Sequence, residues 1–378
     1  MKKQTLGFLG FGLIGGSIAR TIKKRCPENT SQAQNELFIH VYTRRNNPDL
    51  DTGVEEGVID KLHYEIGEWL SECDIIFLCA PVLINIRLLE QIKPFITPDC
   101  IVTDVGSVKG NIHAAVNELG MENNFIGGHP MAGSEKVGYI NSTTTLLENA
   151  YYLLTTSKQV ADTADYLEKL NRMETLVKRV GSICVILDPK EHDRITAAIS
   201  HVPHIIATSL VNMVRLSDDN NENMKHFAAG GFKDITRIAS SSPEMWQNIC
   251  LSNVESIHDF LITFQNLLSE FDTMLLNHDE ENLRNTFLEA GTYRDSIPTK
   301  KASVIKRFYE IYIDIADETG AIATVSTLLA SNAISIKNIG ILHNREFEEG
   351  ALRIEFYDEN AKQKAASLLE SHHYHIHR

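Results

Sequence analysis

Three polar segments contain side chains whose types and spacing could carry out chemistry. They are residues 104–110 (DVGSVKG), 127–135 (GGHPMAGSE) and 230–237 (GGFKDITR). His129 lies between a Gly-Gly pair and a proline, and its imidazole could accept a hydroxyl proton while hydride leaves the same carbon. The alternative is a structural histidine in a tight turn. Ser107 could be a hydroxyl donor in the site, the N-cap of the next helix, or both.

A glycine motif near the N-terminus predicts a dinucleotide site. Residues 9–16 (LGFGLIGG) contain GxGxxG between an apolar run and a helical pattern. The three glycines suit a tight turn, close backbone approach to a pyrophosphate and close helix–strand packing, and the helix N-terminus can bind phosphate. A glycine-rich turn without a ligand is the alternative. The predicted contacts are Gly10, Gly12, Leu13, Ile14 and Gly15.

The residues after the second predicted strand leave the choice between NAD and NADP open. Enzymes that use NAD usually place Asp or Glu there to hold the ribose 2′-hydroxyl, whereas this chain has Thr43, Arg44 and Arg45. The two arginines could bind a 2′-phosphate, which would favour NADP, or they could stack on adenine or be solvated. Ala80 and Pro81, at the end of the apolar run that begins at residue 75, are expected to line the cofactor cleft.

Composition excludes several classes of protein. Of the 378 residues 43% are hydrophobic, so the chain must bury a core and cannot be mainly disordered. The net charge of −14 argues against a general nucleic-acid binder. Six cysteines without a CxxC pair are typical of a reduced, cytoplasmic protein, and no spacing indicates a metal site. The apolar residues 6–19 carry the glycine motif rather than a signal peptide, and we expect no membrane span.

The elements that must position these segments form three predicted domains. Up to residue 157, short apolar runs alternate with helical patterns, which predicts a parallel sheet with crossover helices, an α/β Rossmann-type dinucleotide-binding domain. Residues 158–300 form a predicted all-α domain. Residues 309–378 follow the order βαββαβ, a ferredoxin-like unit.

The all-α domain contains two long segments with a period near 3.6, residues 189–214 and 243–277. The second would form a helix of about 50 Å, and a helix of that length suggests burial against a partner subunit. Residues 230–234 between the two segments break the pattern. Residues 292–301 are polar and predict a linker to the last domain.

With these segments in this order, the chain resembles the prephenate dehydrogenase (TyrA) family. The resemblance rests on GGHPMAGSE, on DVGSVKG upstream of it, and on SHVPH and GGFKDITR downstream, and it spans essentially the whole chain. The C-terminal βαββαβ unit resembles an ACT domain. The family oxidises prephenate to 4-hydroxyphenylpyruvate with NAD(P)+ in tyrosine biosynthesis and releases CO2. The resemblance therefore implies a cytoplasmic, homodimeric oxidoreductase that favours NAD+.

The resemblance also implies roles for individual residues. His129 corresponds to the family's catalytic histidine, and Ser107 would share the ring hydroxyl of the substrate with it. Arg237 would hold a carboxylate of the prephenate dianion, which suits a protein whose net charge of −14 requires a local cation. Thr43 departs from the Asp that many NAD-using relatives carry. The other substrate-pocket residues implied by the resemblance are Ser134, Glu135, Ser200, His204, Lys233, Asp234 and Trp246.

Two other functions stay open at this point. Arogenate dehydrogenase would act on a substrate that carries an amine in place of the side-chain keto group. A non-catalytic amino-acid sensor would bind NAD(P) and signal through its ACT-like unit. The combination of His129, Ser107 and Arg237 favours an enzyme, because a sensor needs no proton acceptor beside the nicotinamide.

The resemblance to ACT domains implies a regulatory site. Such units bind an amino acid at the turn between the first strand and the first helix, which here is residues 317–322. The implied effector is L-tyrosine, acting as a feedback inhibitor, and the alternative is a unit that only dimerises or stabilises the chain. Gly320 would let the backbone approach the ligand, and the helix N-terminus would bind its carboxylate. The predicted contacts are Thr319, Gly320, Ala321, Ile322 and Asn338.

Overall fold

The computed structural model describes residues 4–25, 37–133, 136–297, 309–315, 318–342 and 350–377. The chain divides into two compact units, Met1–Arg294 and Asp295–Arg378. The larger unit contains the glycine motif and the long helical segments, and the smaller unit contains the C-terminal βαββαβ pattern. The finer division of the larger unit at residue 157, and the limits of the linker, stay predictions.

A five-stranded parallel sheet with flanking helices begins the larger unit. Its strands are β1 Gln4–Leu9, β2 Leu37–Tyr42, β3 Lys61–His63, β4 Ile75–Leu78 and β5 Ile101–Asp104, and its helices are α1 Leu13–Lys24, α2 Pro48–Glu55, α3 Val82–Ile92 and α4 Gly110–Leu119. The strand order is β3-β2-β1-β4-β5, and each neighbouring pair is parallel. All residues of β4 and β5 are buried because apolar clusters lie on both faces of the sheet. The predicted Rossmann-type fold is confirmed, although the short β3 was not predicted.

A second, smaller sheet follows. It consists of β6 Gly127–Pro130, β7 Tyr151–Thr155 and β8 Ile183–Leu187, and α5 Ala164–Arg179 lies between the last two strands in the sequence. The prediction that the apolar runs up to residue 157 form one parallel sheet is wrong, because β6 is antiparallel to β7. Strand β8 also lies within residues 158–300, which were predicted to be all-α. Phe125 makes only an isolated bridge to Val102. A side chain at Gly128 would come within 2.6 Å of the Asp104 carbonyl oxygen, so glycine lets β6 approach the end of β5. His129 therefore lies in a strand rather than in a loop.

The rest of the larger unit is helical. The helices are α6 Pro189–Thr196, α7 Val202–Ser217, α8 Asn223–His226, α9 Gly230–Thr236, α10 Pro243–Ser252, α11 Val254–Leu276 and α12 Glu280–Ser296, and a π-helical segment, Ala197–His201, joins α6 to α7. The single helix predicted over residues 243–277 is interrupted at Asn253, whose φ of −130° and ψ of 45° are not helical. Gly230 starts a helix instead of breaking one. Helix α12 extends into the predicted linker as far as Ser296.

Large apolar side chains are exposed along α7, α11 and α12. Leu216 and Leu276 are each 74% exposed, and Phe287 is 68% exposed. Apolar surface of this extent usually marks an interaction surface. The helix Pro189–Ser217 is long and apolar enough to cross a membrane by length and composition, a test that core helices of soluble proteins also pass. The expectation of no membrane span stays a prediction. The first turns of that helix hydrogen bond to α4 of the same unit.

The smaller unit has the predicted ferredoxin-like order. Its elements are β9 Glu310–Ile315, α13 Ala321–Ser331, β10 Ile336–Leu342, β11 Gly350–Phe356, α14 Glu359–Ser371 and β12 Ile376–His377. The sheet order is β10-β11-β9-β12, and all neighbouring strands are antiparallel. In β9 every second residue is buried, so Ile311, Ile313 and Ile315 face a core that includes Val325 and Leu369 of the two helices. This alternation is the reason that the sequence pattern predicted the unit well.

We expect a buried histidine, His113 of α4, to make the stability of the larger unit depend on pH. Its Nε2 lies 2.8 Å from Oγ1 of Thr155, and its Nδ1 lies 3.4 Å from Oγ of Ser157. Burial lowers the pKa of His113 from 6.5 to about 3, and the charge of Lys109 adds to the shift. The folded state therefore binds fewer protons than the unfolded state below pH 6.5, and stability should fall as the pH drops from 6.5 towards 3.

The variant His113→Gln, whose amide can hydrogen bond to the same hydroxyls, isolates this contribution. One proton taken up on unfolding corresponds to a slope of about 1.4 kcal/mol per pH unit. Urea denaturation between pH 7 and pH 4.5 should show that the slope of the variant is smaller than that of the wild type by about this amount at the acidic end. Equal slopes would mean that His113 is already protonated in the folded protein.

Candidate active site

The glycine motif forms a turn that is open where a phosphate would lie. Gly10 has a φ of +85°, and a side chain there would come within 3.2 Å of the backbone of Cys79 and Ala80. A Cβ at Gly15 would lie 3.2 Å from Sγ of Cys79, so this glycine permits close packing of α1 on the sheet. By contrast, apart from its chain neighbours, no described residue has an atom within 4 Å of the position of a Cβ at Gly12. These surroundings fit the three tasks of a dinucleotide-binding motif.

The residues around this opening also fit a dinucleotide. Helix α1 begins at Leu13 without a side-chain cap in the part of the chain that the structure describes, and the first N–H groups of a helix, here those of Leu13 and Ile14, lack acceptors within the helix. On the other side of the opening, the buried Asn85 fixes the loop after β4. Its Oδ1 accepts a hydrogen bond from Ala80 N at 3.1 Å. Pro81 follows at the N-cap of α3.

The turn after β2 carries Thr43, Arg44 and Arg45. The hydroxyl of Thr43 donates to the carbonyl of Arg45 at 2.9 Å, and its backbone N–H donates to the carbonyl of His63 at 3.0 Å. Both arginine side chains are exposed. The turn therefore offers a hydroxyl and two cations at the place where NAD enzymes usually have a carboxylate.

A buried ion pair holds β6 against the end of β5. Lys109 and Asp104 are fully buried and are bonded through Nζ and Oδ2, and Nζ also donates to the Gly128 carbonyl at 2.8 Å. The Asp104 carboxylate accepts from the backbone N–H groups of Gly106 at 2.9 Å and Gly128 at 3.1 Å. Burial lowers the pKa of Lys109, and Asp104 opposes this shift. The pair thus fixes the loop after β5 and the strand that carries His129.

His129 is the first of three side chains joined by hydrogen bonds. Its Nδ1 lies 2.8 Å from Nε2 of His192, and Nδ1 of His192 lies 2.8 Å from Oδ1 of Asp193. Nε2 of His129 makes no hydrogen bond to any residue that the structure describes. Burial lowers the pKa of His129 well below 6.5, and charges at His192, Lys109 and His201 would lower it further. His129 is therefore a neutral imidazole at neutral pH and able to accept a proton.

Asp193 also caps α4, although it lies 83 residues further along the chain than Gly110. Its Oδ1 accepts from the backbone N–H of Lys109 and its Oδ2 from that of Gly110, both at 2.7 Å. The N-cap of α4 is Lys109, without a side-chain cap of its own, so the alternative that Ser107 is the N-cap is wrong. The reason is that a carboxylate from α6 already binds these donors. Ser107 lies half-buried in the loop between β5 and α4.

A second cluster contains His204, Trp246 and Arg237. The rings of His204 and Trp246 stack with their centroids 3.6 Å apart, and Nδ1 of His204 donates to the Ser200 carbonyl at 3.0 Å. Burial lowers the pKa of His204, the Ser200 carbonyl opposes the shift, and the charge of the exposed Arg237 adds to it. Nε1 of Trp246 is buried and has no partner among the residues that the structure describes. The cluster combines an aromatic surface with a cation.

The π-helical segment lets one helix contribute to both clusters. His192 and His204 are twelve residues apart, which in an ideal α-helix places them about 120° apart around the axis. A π turn inserts one extra residue, so the angle falls to about 20°. Asn253 connects the first cluster to His201, because its Nδ2 donates to the Asp193 carbonyl at 2.8 Å and to Nδ1 of His201 at 3.2 Å. The ring of His201 in turn lies edge-on to that of Trp246, with the centroids 6.1 Å apart. This use of the Asn253 side chain accounts for the helix break at that residue.

The structure places His129 in the first cluster and Ser200, His204, Arg237 and Trp246 in the second, whereas Ser107 lies in the loop after β5. Ser134 and Glu135 lie outside the described residues. Lys233 and Asp234 are exposed on α9. The sequence analysis missed His192, Asp193 and Asn253, and the adjacent His-Asp pair directly after the start of a helix was the signal that could have indicated the first two.

Two family models match the chain. The nucleotide-binding domain of prephenate dehydrogenase matches residues 18–185, and the dimerization domain of prephenate dehydrogenase matches residues 188–289. Among curated proteins, the prephenate dehydrogenase of Bacillus subtilis (strain 168) is 35% identical over 371 residues, which are 98% of this chain and 96% of the relative. The prephenate dehydrogenase of Lactococcus lactis subsp. cremoris (strain MG1363) is 36% identical over 98% of both chains.

Solved structures show the same relationship. The prephenate dehydrogenase of Aquifex aeolicus, crystallised with hydroxyphenyl propionate and NAD+, is 28% identical with a TM-score of 0.70, and the match covers 79% of this chain and 99% of that one. The arogenate dehydrogenase of Synechocystis is 26% identical with a TM-score of 0.66, over 77% of this chain and 99% of that one. Because the two models together match residues 18–185 and 188–289 and two relatives match almost the full length, the chain belongs to the prephenate dehydrogenase family.

Proposed function

We propose that the protein oxidises prephenate to 4-hydroxyphenylpyruvate with NAD+ and releases CO2. The observation that carries this proposal is the half-buried, neutral His129, whose Nδ1 is bonded to His192 and whose Nε2 makes no hydrogen bond to a described residue. Gly128 contacts the end of β5, so His129 lies at the same carboxyl edge of the parallel sheet as the glycine motif after β1. Ligands of open α/β sheets bind at this edge.

His129 accepts the proton of the ring hydroxyl at Nε2, and Ser107 hydrogen bonds to the same hydroxyl. NAD+, when bound at Gly10, Gly12 and Gly15, supplies the hydride acceptor. Because the carbinol carbon becomes a ketone in this step, a neutral base at the hydroxyl is the contribution that the chain must make. The gain of aromaticity drives the loss of CO2, so the protein needs no separate group for decarboxylation.

Arg237 binds a carboxylate of the substrate. A guanidinium suits this task because it keeps its charge and can donate two parallel hydrogen bonds. His204 and Trp246 support the proposal with a stacked surface beside the cation, against which an apolar ring can pack. We assign Ser134, Glu135, Ser200, Lys233 and Asp234 to the same pocket on the family resemblance.

The protein is proposed to act as a cytoplasmic homodimer that pairs through its helical domain, residues 158–300. The exposed apolar side chains of α7, α11 and α12 support this proposal, as does the match of residues 188–289 to a dimerization domain. The five cysteines in the described part of the chain are free thiols, which suits a reducing compartment.

We further propose that the C-terminal unit binds L-tyrosine as a feedback inhibitor. Gly320 adopts a left-handed φ of +97° at the N-cap of α13, which has no side-chain cap among the described residues. The N–H of Ala321 donates to the Glu318 carbonyl at 3.3 Å, and the N–H of Ile322 in the same first turn can bind a carboxylate. Thr319 is exposed directly before Gly320, and Asn338 is exposed on β10. Residue 317 of the same turn lies outside the described residues.

Arogenate is the alternative substrate. The likeness to the arogenate dehydrogenase of Synechocystis favours it, as does the cyclohexadienyl dehydrogenase of Zymomonas mobilis subsp. mobilis, which is 28% identical over 301 residues. The two substrates share the ring carbinol that His129 would deprotonate. They differ in the side chain, so the same catalytic groups serve either one.

The substrate assignment predicts that the wild type turns over prephenate with NAD+ at a higher kcat/KM than arogenate. A lower KM for NADP+ than for NAD+ would show that Arg44 and Arg45 bind a 2′-phosphate.

The same assignment predicts the kinetic effect of Arg237→Ala. Loss of one charge-assisted contact from an exposed arginine should raise the KM for prephenate about 10-fold, which is ~1.4 kcal/mol. The KM for NAD+ should stay unchanged and serves as the control. A KM for prephenate within a factor of two of the wild type would remove Arg237 from the site.

The proton-transfer role predicts the effect of His129→Asn. The amide retains a hydrogen-bonding group near the position of Nδ1 but has nothing at Nε2, so kcat should fall about 10²–10⁴-fold while NAD+ binding is retained. Because burial holds the pKa of His129 well below 6.5, kcat/KM of the wild type should be flat above pH 6.5 and fall only at lower pH, where the base becomes protonated. Initial rates and NAD+ titrations test both points. Near-normal turnover by the variant would make His129 structural.

The regulatory proposal predicts that tyrosine inhibition depends on the C-terminal unit. About a fifth of this chain has no counterpart in the Aquifex aeolicus structure, which is itself matched over 99% of its length, so the larger unit should fold without residues 302–378. The truncated enzyme should be active and insensitive to tyrosine, and a coupling of about 1–3 kcal/mol would account for inhibition of the full chain. Equal inhibition of both forms would place tyrosine in the active site instead.

A further inference from the structure

We propose that His192 is a positioning residue that holds His129 in the tautomer with its proton on Nδ1, so that the lone pair of Nε2 faces the substrate. The inference rests on the proposed function, because it assigns a proton-accepting atom within that site. It is carried by the hydrogen bonds from His129 to His192 and from His192 to Asp193.

The chain of hydrogen bonds has a fixed end at Asp193. Two backbone N–H groups, those of Lys109 and Gly110, donate to its two oxygens at 2.7 Å each. These donors begin α4 and cannot rotate away, so they hold the carboxylate in one orientation. A carboxylate in this setting accepts hydrogen bonds only. The atom that faces it, Nδ1 of His192, must therefore carry a proton.

That assignment determines the next bond. His192 is fully buried, and burial lowers its pKa although Asp193 opposes the shift, so the ring is neutral and has a single proton. With the proton on Nδ1, Nε2 of His192 is an acceptor. The atom 2.8 Å from it, Nδ1 of His129, must then be the donor. The opposite tautomer of His129 would set two lone pairs against each other and would block Nε2 with a proton.

The same arrangement stabilises the protonated state that the reaction creates. When Nε2 of His129 accepts a proton, its Nδ1–H bond to His192 becomes charge-assisted and strengthens. Asp193 lies one imidazole further along and provides the negative charge, whereas the nearby positive charge of Lys109 is already paired with Asp104. His192 therefore orients the base before proton transfer and favours the product of that transfer.

Two substitutions at His192 separate positioning from packing. In His192→Leu the acceptor for His129 is lost at similar side-chain volume. In His192→Gln the amide oxygen can reach the place of the imidazole Nε2 and accept the same hydrogen bond. If the wrong tautomer becomes accessible, kcat for prephenate should fall about 10²-fold in His192→Leu, with little change in the KM for NAD+. The variant His192→Gln should recover most of that loss. Thermal unfolding of both variants controls for their folding.

A spectroscopic measurement on the wild type tests the tautomer without reference to activity. Full-length protein labelled with 15N-histidine shows by NMR which ring nitrogen of His129 carries hydrogen, and the His129→Asn sample identifies the resonances. A proton on Nδ1 is expected. A proton on Nε2, or a folded His192→Leu enzyme with unchanged kcat, would overturn the inference. If the proton lies on Nδ1 but prephenate is not oxidised, the positioning role stands and the proposed function fails.

Discussion

The hydrogen bonds that Asp193 makes to the start of α4 are the contacts on which the site depends. Every helix leaves N–H donors unsatisfied at its first turn, and α4 has no side-chain cap of its own. A carboxylate from α6 fills this need across 83 residues of sequence. The same carboxylate also accepts a hydrogen bond from His192. One side chain therefore both attaches the helical region to α4 and orients His129. Removing the carboxylate would leave buried donors without partners and release the histidine pair together.

The buried ion pair of Lys109 and Asp104 is a second constraint on the site. Burying Lys109 and Asp104 costs desolvation energy that their mutual attraction alone does not always repay, and a pair of this kind is kept where it specifies geometry. Here the backbone groups of Gly106 and Gly128 donate to the Asp104 carboxylate, and the Gly128 carbonyl accepts a second hydrogen bond from Lys109 Nζ. Since Gly128 precedes His129, the ion pair fixes the position of the strand that carries His129. Asp193, through His192, fixes the orientation of the His129 imidazole.

The sequence indicated the parts of this molecule that depend on local patterns. Strict alternation in β9 and the apolar runs of β4 and β5 predicted their strands. The glycine motif predicted its turn because each glycine is required by the backbone or packing at its own position. The misassigned features depend on contacts between distant residues. No periodicity shows that Asn253 leaves the helix in order to bond to Asp193 and His201, or that β6 pairs antiparallel with β7. The histidine chain was missed because its members are 63 residues apart in sequence.

The site needs a neutral base and a permanent positive charge, and burial provides only the first. Burial lowers the pKa of His129, His192, His201 and His204, so these rings are neutral and can accept protons or hydrogen bonds. Neutral imidazoles cannot balance the two negative charges of a substrate such as prephenate. That task requires a group whose charge survives at every relevant pH, and a guanidinium is the side chain with this property. Arg237 is exposed, so it can carry this charge without the desolvation cost that burial imposes on a charged group.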